Sequence, residues 1–454
     1  MKKRSRDLTQ GNIAKQILLF AIPILLSQTF QNLYNSVDSV VVGRLVGTTA
    51  LAAVTASGDV SRLIISFFTG LSTGSGIVFS RYFGAKKYDD LHRATHTTLL
   101  FSALLGLFMV VLGITLTPVL MTLVACPPDV LSEAILYLRV YFIGTLFTSI
   151  YNVATGILRA VGDSRTPFYY LVIATCVNIV LDFFFVGVLH IDVLGVALAT
   201  IISQLLSVAL IIIKMLKTTD VYHLDVKSLH IDKSILSEVL RLGIPAAVQS
   251  CLTSFSNLFV LRYQNTFGSI AMAGTGAAKK IEKFVSMVSH AIGLSTATFV
   301  AQNVGAGKYK RTVHGMRHIL VLSFIAVALI GLPIYIFAEP IVRLFTKDTA
   351  AIVYGVEMIR VMMPFYYLLA LQNIFTNAIR GFGRSIVSMV LATVGLVACR
   401  QIYLAVAMAI NYSIVHVYVS FPVGWGCATL LGILYYLLVI RKNFSHKLRS
   451  ECSQ

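Results

Sequence analysis

Charge is scarce in this chain. Asp, Glu, Lys and Arg together make up only 12% of its 454 residues, and 19 of them are acidic, while 57% of the residues are hydrophobic. With a mean hydropathy of +0.82, there is too little polar side chain to cover a water-soluble globule of this length. Cysteine is also sparse. Cys126, Cys176, Cys251, Cys399, Cys427 and Cys452 are scattered, with no C-x-x-C pair and no histidine at ligand spacing, which excludes a disulfide framework and a structural zinc site. No nucleophile or metal constellation stands at one depth of the sequence, so an enzyme is not expected. The surplus of positive charge, +18, would suggest nucleic acid in a soluble protein. In so apolar a chain it reflects instead the basic cytoplasmic loops of membrane proteins, and no nucleic-acid partner is expected.

What the chain has in abundance is long apolar runs. A hydrocarbon core of roughly 30 Å needs about 20 apolar residues per helix. The runs between polar breaks predict twelve spans, near 13–42, 49–79, 95–117, 130–158, 167–189, 194–216, 236–261, 270–302, 316–337, 350–379, 386–409 and 413–440. The opening MKKRSRD and the run after it read as a retained first helix, since no small-residue cleavage site follows. With the N-terminus inside, basic residues crowd the inner segments, and the outer loops hold only Arg44, Arg262, Arg343 and Lys347. That bias places both termini in the cytoplasm; the location expected for the chain is the inner (cytoplasmic) membrane of a bacterium.

Landmarks recur at an offset of 221 or 222 residues. Ile22-Pro23 and Asn35 return as Ile244-Pro245 and Asn257; Arg159, Gly162 and Ser164 return as Arg380, Gly383 and Ser385. The fold expected is therefore all-α and integral to the membrane, with twelve transmembrane helices in two parallel-repeat six-helix lobes around a central cavity. The lobes are expected at 1–216 and 238–454, joined by a polar cytoplasmic linker at 217–237.

Acidic residues inside apolar spans call for a reason, because a charge near mid-membrane costs about 2.5–3.5 kcal/mol. Asp38 lies in the first span. Asp182 lies in the fifth, with Asn178 one helical turn before it. Both acids fall in the outer half of the membrane, roughly 9 and 12 Å from the outer ends of their spans at 1.5 Å per residue. Two carboxylates brought together there either hold a hard cation or share a proton, and either gives a coupling device; each could also merely hydrogen-bond a neighbouring helix. Their repeat counterparts are Val260, Cys399 and Tyr403, so only the first half keeps acidic chemistry.

Weaker signals surround these. Pro23 and Pro245, at matching places in spans 1 and 7, are candidate gating hinges. Gln28, Tyr34, Asn35, Tyr141, Asn152, Gln249, Asn257, Glu282 and Arg400 are candidate cavity-lining residues. Arg400 has no partner in its own span and is expected either to repel cationic cargo or to bind anionic cargo. Lys279, Lys280 and Lys283 are expected to reach a wet cavity or snorkel. Asp59 with Arg62, and Glu357 with Arg360, have the spacing of neutralising helix pairs.

The IP of the first helix followed by QNLYNSVDSVVVGRLVG, the YFGAKKYDD loop, RAVGDSRTP, the N-x-x-x-D of span 5 and the second IP together resemble the MATE (multidrug and toxic compound extrusion) family along essentially the whole chain. The resemblance implies a secondary transporter, expected to act as a monomer in the lipid bilayer. It would export chemically varied, often cationic organic compounds in exchange for sodium ions or protons, with no cofactor beyond that ion. It implies a cation or proton site at Asp38, Asn178, Asp182 and Thr200, with the same four residues as candidate sodium ligands. It also implies bending at Pro23. A flippase of lipid-linked precursors from the same superfamily is the alternative. Gln249 stands where one branch of the family carries a glutamate, which argues against a second cation site in the carboxyl-terminal lobe.

Overall fold

The computed structural model describes residues 6–123 and 126–442; the side chains at 48, 49, 51, 59 and 123 lie outside the described residues, and with them the Asp59 half of the expected pair with Arg62. The described residues form helices and turns and no strand. Lipid offers no hydrogen bonds, so a crossing segment must satisfy its own backbone, and a helix does so locally.

Twelve helices are long and apolar enough to cross a membrane: α1 (Ile13–Val46), α2 (Ala52–Gly84), α3 (Tyr88–Thr122), α4 (Leu131–Ala160), α5 (Arg165–Val188), α6 (Asp192–Lys217), α7 (Lys233–Asn265), α8 (Gly268–Gly305), α9 (Tyr309–Ile336), α10 (Thr349–Gly381), α11 (Ser385–Ile410) and α12 (Ile414–Arg441). Each coincides with one expected span. Several run beyond the apolar stretch that announces them, because polar first turns are good helix starts. α3 begins with Asp89 and Asp90 in its first turn, where carboxylates suit the positive end of the helix dipole. Both α1 and α7 continue through their prolines, Pro23 and Pro245.

The chain divides into two compact units, one of Met1–Asp7 and Leu26–Ala247, the other of Leu8–Leu25 and Val248–Gln454. In α1 the chain changes unit after Leu25, and in α7 after Ala247. Each change falls two residues past the matched proline.

Within the first unit, α2 and α7 cross at a seam of small residues. A methyl group on Gly74 would stand 2.2 Å from the Cα of Gly243, and one on Gly70 would stand 2.4 Å from the Cα of Ala247. Small residues let backbones approach this closely, which is how helices associate where no hydrophobic force separates protein from solvent. The linker folds onto the same unit. Tyr222 and Leu224 are buried, the Asp225 N–H donates to His96 Nε2 at 2.9 Å, and Arg93 meets Asp232 at 3.1 Å. Tyr82 donates its hydroxyl to Glu238 at 2.6 Å.

The second unit packs the start of α1 as its own. The Leu8 N–H donates to Gln302 Oε1 at 2.9 Å, and Lys308 Nζ donates to the Thr9 carbonyl at 2.9 Å. The duplication is visible in the backbone as well. Gly162 (φ +83°) and Gly383 (φ +75°) take the same left-handed turn, and Lys86 (φ +57°) stands where the second copy has Gly307 (φ +72°).

Candidate functional site

The first unit brings several intramembrane polar groups together. Asp38 comes from α1 and Asp182 from α5, and their carboxyl groups lie close enough to interact directly. Asn178, one turn before Asp182 on α5, is fully buried, as is Asp182 itself. Thr200 on α6 is buried and accepts a hydrogen bond from the Tyr34 hydroxyl at 3.0 Å. Tyr137 and Tyr141 on α4 stack at 6.1 Å between ring centroids, and both feel the charge of Asp38. Valines and alanines of α1, α2, α5 and α6, among them Val41, Val42, Val186, Val193 and Val196, close the apolar side.

Local backbone helps to set this geometry. Both acids lie just before a wide π-helical turn, Val42–Val46 in α1 and Phe183–Val188 in α5. Such turns often mark functional sites, because they interrupt the regular hydrogen-bond ladder and re-aim side chains.

The polar atoms here are under-used. Asp38 Oδ1, both oxygens of Asp182 and both amide atoms of Asn178 are buried without a hydrogen-bond partner among the described residues. No cationic side chain among those residues acts on either acid. Leaving a buried polar group unpaired costs about 1–3 kcal/mol, more when it is charged. Two adjacent carboxyls without a counter-cation must share a proton or hold a cation. The donor set fits both uses. Two carboxylates, an amide oxygen and a hydroxyl suit a hard cation such as sodium, and the carboxyl pair alone suits a proton.

The other expected residues lie apart from this cluster. Gln28 is ten residues before Asp38, about 15 Å along the helix, and its carbonyl accepts from Asn32 Nδ2 at 2.8 Å. Asn35 is exposed on α1. Asn152 on α4 donates to the Thr148 carbonyl at 2.8 Å, and its own carbonyl accepts from Ser72 at 2.5 Å.

In the second unit Gln249 accepts from buried Arg380 at 2.5 Å, Glu282 interacts with Tyr366 and Lys279, and Tyr366 also bonds Ser286. Asn257 accepts from Arg400 Nη1 at 2.8 Å, which gives Arg400 a partner outside its own span. Lys279 donates to Gln264 at 2.5 Å, and Lys280 lies over the Phe345 ring at 5.9 Å. Glu357 and Arg360 do not form the expected ion pair. Glu357 lies towards Tyr418 instead, since side chains three apart on a helix meet only when both rotamers converge. Ser61, which interacts with Tyr141, carried no sequence signal, because a serine in an apolar helix most often bonds its own backbone.

The MatE family model matches the chain twice, at residues 23–184 and 245–406. The chain belongs to the MATE family. The two matches are offset by 222 residues at both ends, the same spacing as the repeated landmarks.

This MATE chain is 29% identical over 446 residues to the probable multidrug resistance protein YoeA of Bacillus subtilis, covering 96% of each. It is 23% identical to the multidrug export protein MepA of Staphylococcus haemolyticus, over 83% of each. Its fold is similar to that of a multidrug resistance MATE family transporter solved in its outward-facing conformation, with a TM-score of 0.90 at 22% identity and 99% coverage of both chains. A multi-pass membrane transporter, and not an enzyme, is what the MATE assignment and the twelve helices establish together. The lipid-linked precursor flippase is not favoured by these relatives.

Proposed function

We propose that this MATE protein exports small organic compounds, often cationic, across the bacterial cytoplasmic membrane in exchange for sodium ions or protons. It works as a monomer with both termini in the cytoplasm. The observation that carries the coupling is the set at Asp38, Asn178 and Asp182: buried polar atoms with no hydrogen-bond donor, and two adjacent acids on which no cationic side chain acts, among the described residues. Binding of the ion there stabilises one state of the first unit, and binding of the solute stabilises the other. Each therefore disfavours the other, and inward ion flow releases the solute outward. Pro23 and Pro245 stand where the chain passes between units and serve as the bending points, because a proline leaves a carbonyl unpaired and frees the helix to kink.

The test is uptake of a fluorescent organic cation by everted membrane vesicles under an imposed sodium or proton gradient. Wild type should accumulate the dye with one of the two gradients. Asp38→Asn and Asp182→Asn should each lose at least tenfold of the gradient-driven rate. Equal rates in wild type and both variants would remove the coupling assignment.

A further inference from the structure

The repeat places a site of opposite sign in the second unit. Its members are the repeat counterparts, or chain neighbours, of the first unit's cluster. Tyr34, Asn178, Asp182 and Thr200 are replaced by Ser256, Cys399, Tyr403 and Phe421 at offsets of 221 or 222 residues, and Asp38 by Val260. Next to the Asn178 counterpart stands Arg400. Where the first half buries two acids, the second buries a base.

Arg400 is only 3% exposed. Its Nη1 donates to Asn257 Oδ1 at 2.8 Å, its Nη2 donates to Ser256 Oγ, and the Phe421 ring lies 5.2 Å from the guanidinium carbon. Gln401 fixes Ser256 from behind by donating to its carbonyl at 3.0 Å and to its hydroxyl at 2.8 Å. All these partners are neutral. Nε is buried without a partner, and no carboxylate among the described residues pairs with Arg400.

A guanidinium has five N–H groups arranged as a planar fork that matches a carboxylate or sulfonate. Burying its charge with neutral acceptors alone leaves most of the desolvation cost uncompensated. An anion offsets that cost. The site also has an accessible side, because Asn257 is exposed while its oxygen holds the guanidinium. Arg400 lies ten residues before the end of α11 at Ile410, about 15 Å along the helix and so well inside the span, a few ångströms further from its helix end than the acids of the first unit are from theirs. An inorganic ion would meet only the fork, whereas the aromatic ring beside it suits the apolar body of an organic solute.

We propose that Arg400, with Asn257, Ser256 and Phe421, is a recognition subsite for the anionic group, carboxylate or sulfonate, of an amphiphilic organic solute. As a subsite for cargo it rests on the exporter reading. It widens that cargo from cations to zwitterions and organic anions.

The test uses rhodamine B, which carries a free carboxylate, and its ethyl ester, which has the same aromatic body without the negative charge. Binding to the purified full-length protein is followed by fluorescence anisotropy in a chloride-free buffer, which makes the result independent of transport. The subsite predicts that wild type binds rhodamine B at least tenfold more tightly than the ester. Arg400→Gln should abolish that preference and leave ester binding within twofold, and Arg400→Lys should restore part of it. Ester binding reports that each variant is folded.

Equal affinity of wild type for the two dyes overturns the proposal, as does a preference that survives Arg400→Gln or a parallel loss of both dyes in Arg400→Gln and Arg400→Lys. Displacement of rhodamine B by millimolar chloride overturns the organic-solute assignment in favour of an inorganic anion. Failure of everted vesicles to accumulate either dye, with the binding preference intact, counts against the exporter reading and not against the subsite.

Discussion

Asp182 is completely buried, and its carboxyl meets the like carboxyl of Asp38 with no fixed hydrogen-bond donor on its oxygens among the described residues. A structural acid would be expected to accept from a donor on a neighbouring helix, so a carboxyl that meets only a second carboxyl points to an exchangeable cation or proton between them. Replacing the carboxylate with the nearly isosteric amide removes the charge and keeps the shape. Asp182→Asn should therefore unfold in detergent at a temperature no lower than wild type while losing transport. A large drop in unfolding temperature would show the carboxylate to be structural. Gly162→Ala makes the opposite case. Its φ of +83° disfavours any side chain, and an added methyl would stand 2.1 Å from the Arg6 carbonyl oxygen, so a loss of about 2–4 kcal/mol is expected, seen as a lowered unfolding temperature. The acids were legible from sequence because charge in an apolar run is rare. Ser61 was not legible as a member of the site, because serines are common in membrane helices and only the packing of α4 against α2 selects it.

At the scale of elements, the twelve spans were legible because a helix that faces lipid must be apolar for its whole crossing. Their ends were less so, since α3 and α9 begin in polar sequence that hydropathy cannot assign. The docking of the linker was invisible, because it rests on individual contacts that hydropathy does not register, that of His96 among them. His96 is 1% exposed; its Nδ1 lies 2.7 Å from the His92 carbonyl, and its Nε2 accepts from the Asp225 N–H, so the hydrogen bonds assign donation to Nδ1 and acceptance to Nε2. His96→Leu removes that acceptor, and trypsin should then cut after exposed Lys227 several-fold faster than in wild type. An unchanged rate would show that Arg93, Thr97 and the buried Tyr222 suffice to hold the loop.

The neighbouring Asp225 carboxyl is held below its ordinary value of 3.8, first by the Ser228 hydroxyl and then by the Lys227 N–H. A lowered carboxyl contributes its stabilisation fully above the ordinary value and loses it as pH falls through the lowered one. Any pH dependence of transport near neutrality therefore has another source. Pro23→Ala and Pro245→Ala address the bending points. Each should slow gradient-driven uptake several-fold while leaving binding of a fluorescent cation within twofold, and an unchanged rate in both would assign the prolines to static kinks.

At the scale of the whole chain, a duplicated frame carries unlike chemistry. Repeated glycines, prolines and turns keep the two halves alike, and the family model fits each half separately. The charges differ: two acids in the first half stand against Arg400 in the second. That contrast was readable at the single positions Asp38, Asp182 and Arg400. The passage of α1 and α7 between units was not, because the swap depends on which helices the first turns pack against and leaves no mark in hydropathy.

The central claim is that ion and solute exchange through one coupled cycle, and coupling between binding sites is reciprocal. It is tested most directly in sealed proteoliposomes with no imposed ion gradient, where a solute gradient is applied and sodium and proton movements are recorded. Wild type should move one of the two ions against the direction of the solute, and Asp182→Asn should move neither. Solute crossing without ion movement in wild type, or full ion movement in the variant, would contradict the account.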